Sequence, residues 1–170
     1  MINYHLITNI ISNLCLDLNN CCGYFENTMK DKLYDLTDEE KETIEVRLKD
    51  CLEKRSDILF AYLHGSFITG QKFRDIDLAV FPAQRPSSPL DFELSLEAEL
   101  AGIVRGYPFD VRVLNRAPVS FQYNVIKYGK RLFTRDDDAR CDFEEAALSN
   151  YFDFAPFRKG YLKEALGLGI

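Results

Sequence analysis

The chain has 170 residues, 46% hydrophobic and 28% charged, the make-up of one ordinary globular domain whose core needs no covalent staples. Its net charge of -6 excludes broad adhesion to a nucleic-acid backbone, and no apolar run reaches membrane-spanning length. Five cysteines, an odd number with Cys21 and Cys22 adjacent and no C-x-x-C pair, exclude a disulfide framework or a zinc site. Reduced thiols and the absence of a secretory leader pattern place the expectation in the cytoplasm.

In chain order, Ile2, Leu6, Ile7, Ile10, Ile11, Leu14 and Leu18 recur at helical spacing, which predicts an amphipathic helix stopped by the Asn/Cys/Gly run at 19–23. A further helical turn is expected within 24–36. Residues 1–36 are thus read as an N-terminal helical extension and 37–170 as the main domain. Thr37 and Glu40 form a capping-box pattern that opens a helix burying Ile44, Leu48, Cys51 and Leu52. The nearly continuous apolar run at 58–63 predicts a buried strand. A second strand is expected at 76–81, ended by Pro82. Residues 90–105 read as a helix with Leu90, Leu94, Leu96, Leu100 and Ile103 partly buried. Residues 109–114 alternate, with Phe109, Val111 and Val113 on one side and Asp110 and Arg112 on the other. A helix from Pro118 to Tyr128 closed by Gly129, a short strand at 130–134 and a charged helix at 135–150 follow. The aromatic segment at 151–157 is expected to break at Pro156 before a last helical turn at 159–166. The pattern predicts an α+β fold, a small mixed sheet flanked by helices.

The stretch 64–81 carries the chemistry. Asp75 and Asp77 stand two residues apart, a spacing that in a strand puts both on one face roughly 7 Å apart at the Cα. Such carboxylates repel unless a cation lies between them, and Mg²⁺ favours oxygen ligands together with substrate phosphates. Gly65 and Ser66 follow directly on the first strand, where backbone N–H groups and the hydroxyl can bind outer phosphates. Lys72 and Arg74 are the cations of the same loop. Asp110, on the polar side of a later strand, is the expected third carboxylate, able to ligate metal and act as a base.

This combination resembles the nucleotidyltransferase superfamily related to DNA polymerase β, and its minimal nucleotidyltransferases in particular. Gly65-Ser66 and Asp75-Ile76-Asp77 are similar to the signature, and Asp110 to the third carboxylate. The runs at 113–118, 129–133 and 151–156 resemble the antitoxin branch. The resemblance spans about residues 37–163 and leaves 1–36 aside. It implies the polymerase β-like fold, ATP as substrate, Mg²⁺ as cofactor, and a HEPN-type ribonuclease toxin as protein partner in a hetero-oligomer. It also implies transfer of AMP to a toxin tyrosine, with no direct nucleic-acid or membrane partner. Its departures are the interval of eight residues between Ser66 and Asp75, shorter than usual, and Thr69 and Arg74 where arginine and serine are common. Neither His5 nor His64 follows an arginine at the spacing of the toxin's own motif, so the chain is not read as the toxin.

Two other readings fit the same residues. One is an antitoxin that blocks its partner by contact, with Tyr151, Phe152, Phe154 and Phe157 as the interface. The other is a nucleotidyltransferase acting on a small-molecule hydroxyl, for which the chain leaves little room for an acceptor domain.

Overall fold

The computed structural model describes residues 32–70 and 72–166. The helix expected at 2–18 and its stop lie outside the described residues. The chain divides between Leu33 and Tyr34, and the elements named below belong to the second unit. They are β1 (Tyr34–Asp35), α1 (Asp38–Glu53), β2 (Ile58–His64), α2 (Ser66–Thr69), β3 (Lys72–Phe73), β4 (Ile76–Pro82) and α3 (Pro89–Ile103). After them come β5 (Phe109–Val113), a 3-10 turn (Leu114–Arg116), α4 (Val119–Tyr128), β6 (Lys130–Thr134) and α5 (Asp137–Leu166). Of the stretch 24–36 in which a further helical turn is expected, 24–31 lie outside the described residues, and Tyr34–Asp35 is strand, paired with β3. The Tyr34 ring stacks on Phe73 and meets Tyr107 edge-on, a tertiary contact that outweighs local helical spacing.

α1 begins where the capping box places it. Thr37 Oγ1 accepts from the Glu40 N–H, and Glu40 Oε2 accepts from the Thr37 N–H. The helix buries Ile44, Leu48, Cys51 and Leu52 along one stripe. Its last carbonyls are served from a distance: the Arg135 guanidinium donates to Glu53 O at 2.7 Å and to Arg55 O at 3.2 Å. Of the described cysteines, Cys51 is buried and Cys141 exposed, and neither forms a disulfide. Burial, reinforced by Glu99, pushes the Cys51 thiol up to about 11, so it stays protonated and inert.

The main sheet has the order β5-β4-β2-β6, with β4 and β5 parallel and the other pairs antiparallel. β2 is central, paired on both edges, which is why its sequence is almost wholly apolar. Alternation sends Ala61, Leu63, Leu78, Val80, Val111 and Val113 to one face, where they meet Leu48 and Leu52 of α1 and Leu96 and Leu100 of α3. Phe60, Tyr62 and Ala79 face the other way, onto Leu114, Val125 of α4 and Phe143 of α5. The fold is therefore two helical layers around one mixed sheet.

β5 is an edge strand, and α3 closes its open side. Glu97 Oε1 accepts from the Val111 N–H at 3.0 Å, and Glu93 Oε1 from the Val113 N–H at 2.8 Å. Two carboxylates one helical turn apart thus replace the missing strand. Only Leu96 and Leu100 of α3's expected set are buried. Leu90, Leu94 and Ile103 are 61%, 53% and 40% exposed. Leu94 sits roughly 160° around the helix from Leu96 and Leu90 roughly 120°, so both turn away from the buried line.

α5 runs unbroken through Pro156 for 30 residues, against the expected break. An interior proline removes one N–H and kinks a helix. Here it falls on an exposed segment of the helix. The N-terminal half is tied to the sheet: the Tyr62 hydroxyl donates to Glu144, and Arg140 bridges Glu144 and Asp137 at 2.8 Å each.

Candidate active site

The site forms at the end of the sheet where β2 stops and β4 starts. The register sets His64 of β2 opposite Asp77 of β4, and Asp77 opposite Asp110 of β5. All three lie on the α4 side, since Leu63, Leu78 and Val111 occupy the opposite face. Asp75 precedes β4, which begins at Ile76, so it belongs to the entering loop and not to the strand itself.

Gly65 is the residue the geometry cannot replace. Its φ is 71°, a left-handed conformation, and a Cβ there would collide with the Asp77 carboxylate, standing 2.8 Å from Cγ. The turn it makes lets Ser66 start α2. Thr69 donates from N–H and hydroxyl to Gly65 O, and the Gly70 N–H donates to Ser66 O at 2.8 Å. Lys41 of α1 donates to Gly70 O at 2.7 Å and fixes the far end of this turn. Phe67 is fully buried edge-on against Phe73, so the short interval between Ser66 and Asp75 is pinned by two aromatic anchors.

Asp77 is half-buried beneath this turn. Burial first, then the neighbouring Asp75 and Asp110 carboxylates, push it up to about 6. Only Arg112 pulls the other way, and less strongly. Asp110 has found one: Arg112, on the same side of β5, meets it at 3.0 Å. The pair is half-exposed, worth about 0–1 kcal/mol, and readily broken. His64, one residue before the glycine, carries a buried Nε2 with no hydrogen-bond partner among the described residues, and its ring meets Phe121 of α4 edge-on at 5.2 Å. Burial holds its pKa below the usual imidazole range, against the pull of Asp110 and Asp75.

The register therefore brings Asp77 and Asp110 side by side, with Gly65 against Asp77 and Asp75 within electrostatic reach. Lys72 and Arg74 are exposed; Lys72 lies on the small ribbon opposite Asp35. Among the described residues, no three His, Cys, Asp or Glu side chains stand ready to enclose a metal ion. Asp110's grip on Arg112 is one visible reason. The donor set still fits a hard divalent cation, because it is all oxygen and Asp77's repulsion with its neighbours calls for positive charge. His64 and Arg112 escaped the sequence reading. The signal for Arg112 was its i+2 spacing from Asp110; His64 had only its place before the glycine.

A family profile described as "Polymerase beta, Nucleotidyltransferase" matches residues 46–138, from within α1 to the start of α5. The chain belongs to the polymerase β-type nucleotidyltransferases. The fold agrees. A chain of a tri-AMPylated HEPN toxin in complex with MNT antitoxin, from Shewanella oneidensis, is 20% identical with a TM-score of 0.61, covering 74% of this chain and 98% of that one. A chain of the toxin–antitoxin MntA–HepT gives 20% and 0.60 over 74% and 98%. A toxin–antitoxin complex with AMP-PNP gives 23% and 0.62 over 72% and 98%. At such identity the likeness shows the shared fold. No curated protein sequence matches the chain significantly. As a nucleotidyltransferase of this family, the chain has the expected mixed sheet flanked by helices, and no described helix is long and apolar enough to cross a membrane.

Proposed function

We propose that the chain is an antitoxin that transfers AMP from ATP to a hydroxyl, in the first instance a tyrosine, of a HEPN-type toxin with which it forms a hetero-oligomer. The observation that carries the reading is the acidic cluster beneath the glycine turn, where the register sets Asp77 beside Asp110 and burial, then Asp75 and Asp110, raise Asp77. The structural likeness to complexes bearing an AMPylated toxin and AMP-PNP supports substrate and partner. Gly65 and Ser66 take the phosphates, with Lys72 and Arg74 as the nearby cations of the loop. Asp75, Asp77 and Asp110 would hold Mg²⁺, which when bound offsets charge on the phosphates and on the attacking oxygen. The acceptor hydroxyl oxygen forms a bond to the α-phosphorus, and the bond from that phosphorus to the bridging oxygen breaks. Pyrophosphate leaves with the electron pair, and Asp110, released from Arg112, takes the hydroxyl proton. Catalysis rests on positioning and charge neutralisation.

The Asp110–Arg112 ion pair favours a second reading, an antitoxin that inhibits by contact alone, since it occupies the proposed base. Incubation with ATP labelled at the α-phosphate, Mg²⁺ and a candidate HEPN toxin, sought first in the neighbouring reading frames, decides between them. Transfer predicts label on the toxin that Asp77→Asn abolishes. No label, with full protection of cells by Asp77→Asn, leaves contact alone.

A further inference from the structure

The α4 side of the sheet carries a track that the carboxylate cluster and glycine turn leave unused. Near Asp110, at the open edge of β5, lies a pocket of about 320 Å³ lined by Arg112, Arg116, Pro118 and Phe121, with Glu93 of α3 on its other wall. Phe121 is the ring that packs on His64, and Arg112 is the partner of Asp110, so the pocket adjoins the reacting centre. Pro118 is shared with a second pocket of about 230 Å³, whose far wall is Tyr151, Phe154 and Arg158. From there α5 presents Phe154, Phe157 and Tyr161, which are 59%, 73% and 70% exposed. Their spacing of three and four residues aligns them on one face. Arg116 has no ion pair among the described residues, and Arg158 meets only the Tyr151 hydroxyl and ring. In a chain of net charge -6, this surface joins exposed aromatic rings to three arginines.

The strand order gives the track its direction. Gly65 follows β2, Asp77 lies on β4, and the Arg112–Arg116–Phe121 pocket belongs to the β5 side. Phosphates held at the glycine turn and a group held in the pocket would approach Asp77 from opposite sides. In-line displacement requires that arrangement of leaving group and attacking oxygen. A small acceptor would fill the pocket and leave the three rings on α5 in water. A protein covers both.

We propose that the acceptor protein docks along this track. Its hydroxyl-bearing aromatic side chain enters the Arg112–Arg116–Phe121 pocket, and an apolar segment carrying carboxylates lies over α5 between Pro118 and Tyr161. The proposal rests on the adenylyl-transfer reading for the chemistry, but the docking itself does not depend on it. A carboxylate of the acceptor gives Arg112 a new partner and so frees Asp110.

The test uses the full chain and the same candidate HEPN toxin. Affinity is measured without nucleotide by titration calorimetry, then AMP transfer and the KM for ATP are measured separately. Phe157→Asp and Arg116→Glu, both exposed, each weaken binding by about tenfold or more, with the KM for ATP unchanged. Val46→Asp, exposed on α1 away from the track, binds as the parent does. Circular dichroism confirms that each variant is folded. The proposal is overturned if both track variants bind with parental affinity, or if the parent does not bind the HEPN protein. It is overturned too if Arg116→Glu raises the KM for ATP and leaves binding intact, which would give the pocket to the nucleotide. Binding that tracks the variants without any AMP transfer upholds the docking surface and defeats the adenylyl-transfer reading alone.

Discussion

The two faces of the sheet are built on opposite principles. On the α1/α3 face every large side chain of β2 and β4 is buried, and even the open edge of β5 is sealed by Glu93 and Glu97. On the α4/α5 face the end of the sheet holds a crowded carboxylate, an unpartnered His64 Nε2 and an ion pair that any competing charge can open. The first face supplies stability, and the second gives some of it up to keep charged groups poised. Sites of this kind are where a fold's local rules fail for functional reasons.

Breaking the site shows the contrast most strongly. Asp77→Asn lowers AMP transfer by about a hundredfold to a thousandfold in a single-turnover assay. It also stabilises the protein at neutral pH in the absence of metal. The fold raises this carboxyl from its ordinary 3.8 to about 6. The folded state therefore prefers it protonated, and that preference is fully satisfied below the unfolded value and lost as pH rises through about 6. The melting temperature of Asp77→Asn matches the parent near pH 4 and exceeds it above pH 6. A gap that stays constant across this range would contradict the electrostatic account.

Gly65→Ala attacks the same site from the backbone. Its φ of 71° and the contact with Asp77 make any Cβ intolerable. Transfer falls by an amount similar to Asp77→Asn, but stability drops by about 1–3 kcal/mol instead of rising. Opposite stability signs for two inactive variants would separate strain from charge.

On the other face, Leu100→Ala removes a fully buried side chain between α3 and the sheet. It costs about 2–5 kcal/mol in urea unfolding while leaving the KM for ATP unaltered. A smaller effect is expected at the β5 edge. Glu97→Ala leaves the Val111 N–H without its acceptor and costs about 1–3 kcal/mol. Because that strand carries Asp110, it also lowers the transfer rate severalfold at saturating ATP. Unchanged stability in Glu97→Ala would show that water replaces the carboxylate freely.

Much of this contrast was written locally in the sequence. The capping box at Thr37, the apolar run of β2 and the alternation of β5 each define an element from neighbouring residues alone. Gly65 next to a strand end, and acidic residues at matching parity on two strands, made the site visible as well. What stayed hidden depends on partners far along the chain. Asp77 meets His64 and Asp110 only through strand pairing, so the lone imidazole and its packing on Phe121 carried no sequence signal. Arg112 was placed on the correct face but its hold on Asp110 is a matter of side-chain geometry. Pro156 was taken as a breaker because local preference argues so, yet an exposed helix tolerates one missing bond.

The account stands or falls on where nucleotide and cation bind. A crystal grown with AMP-PNP and Mn²⁺ tests this directly through the anomalous signal of the metal. The prediction is phosphates on the Gly65–Ser66 turn, manganese coordinated by Asp75 and Asp77, and Asp110 swung from Arg112 toward the metal. Nucleotide bound elsewhere, or an acidic cluster left without metal while Asp110 keeps its arginine, would contradict it.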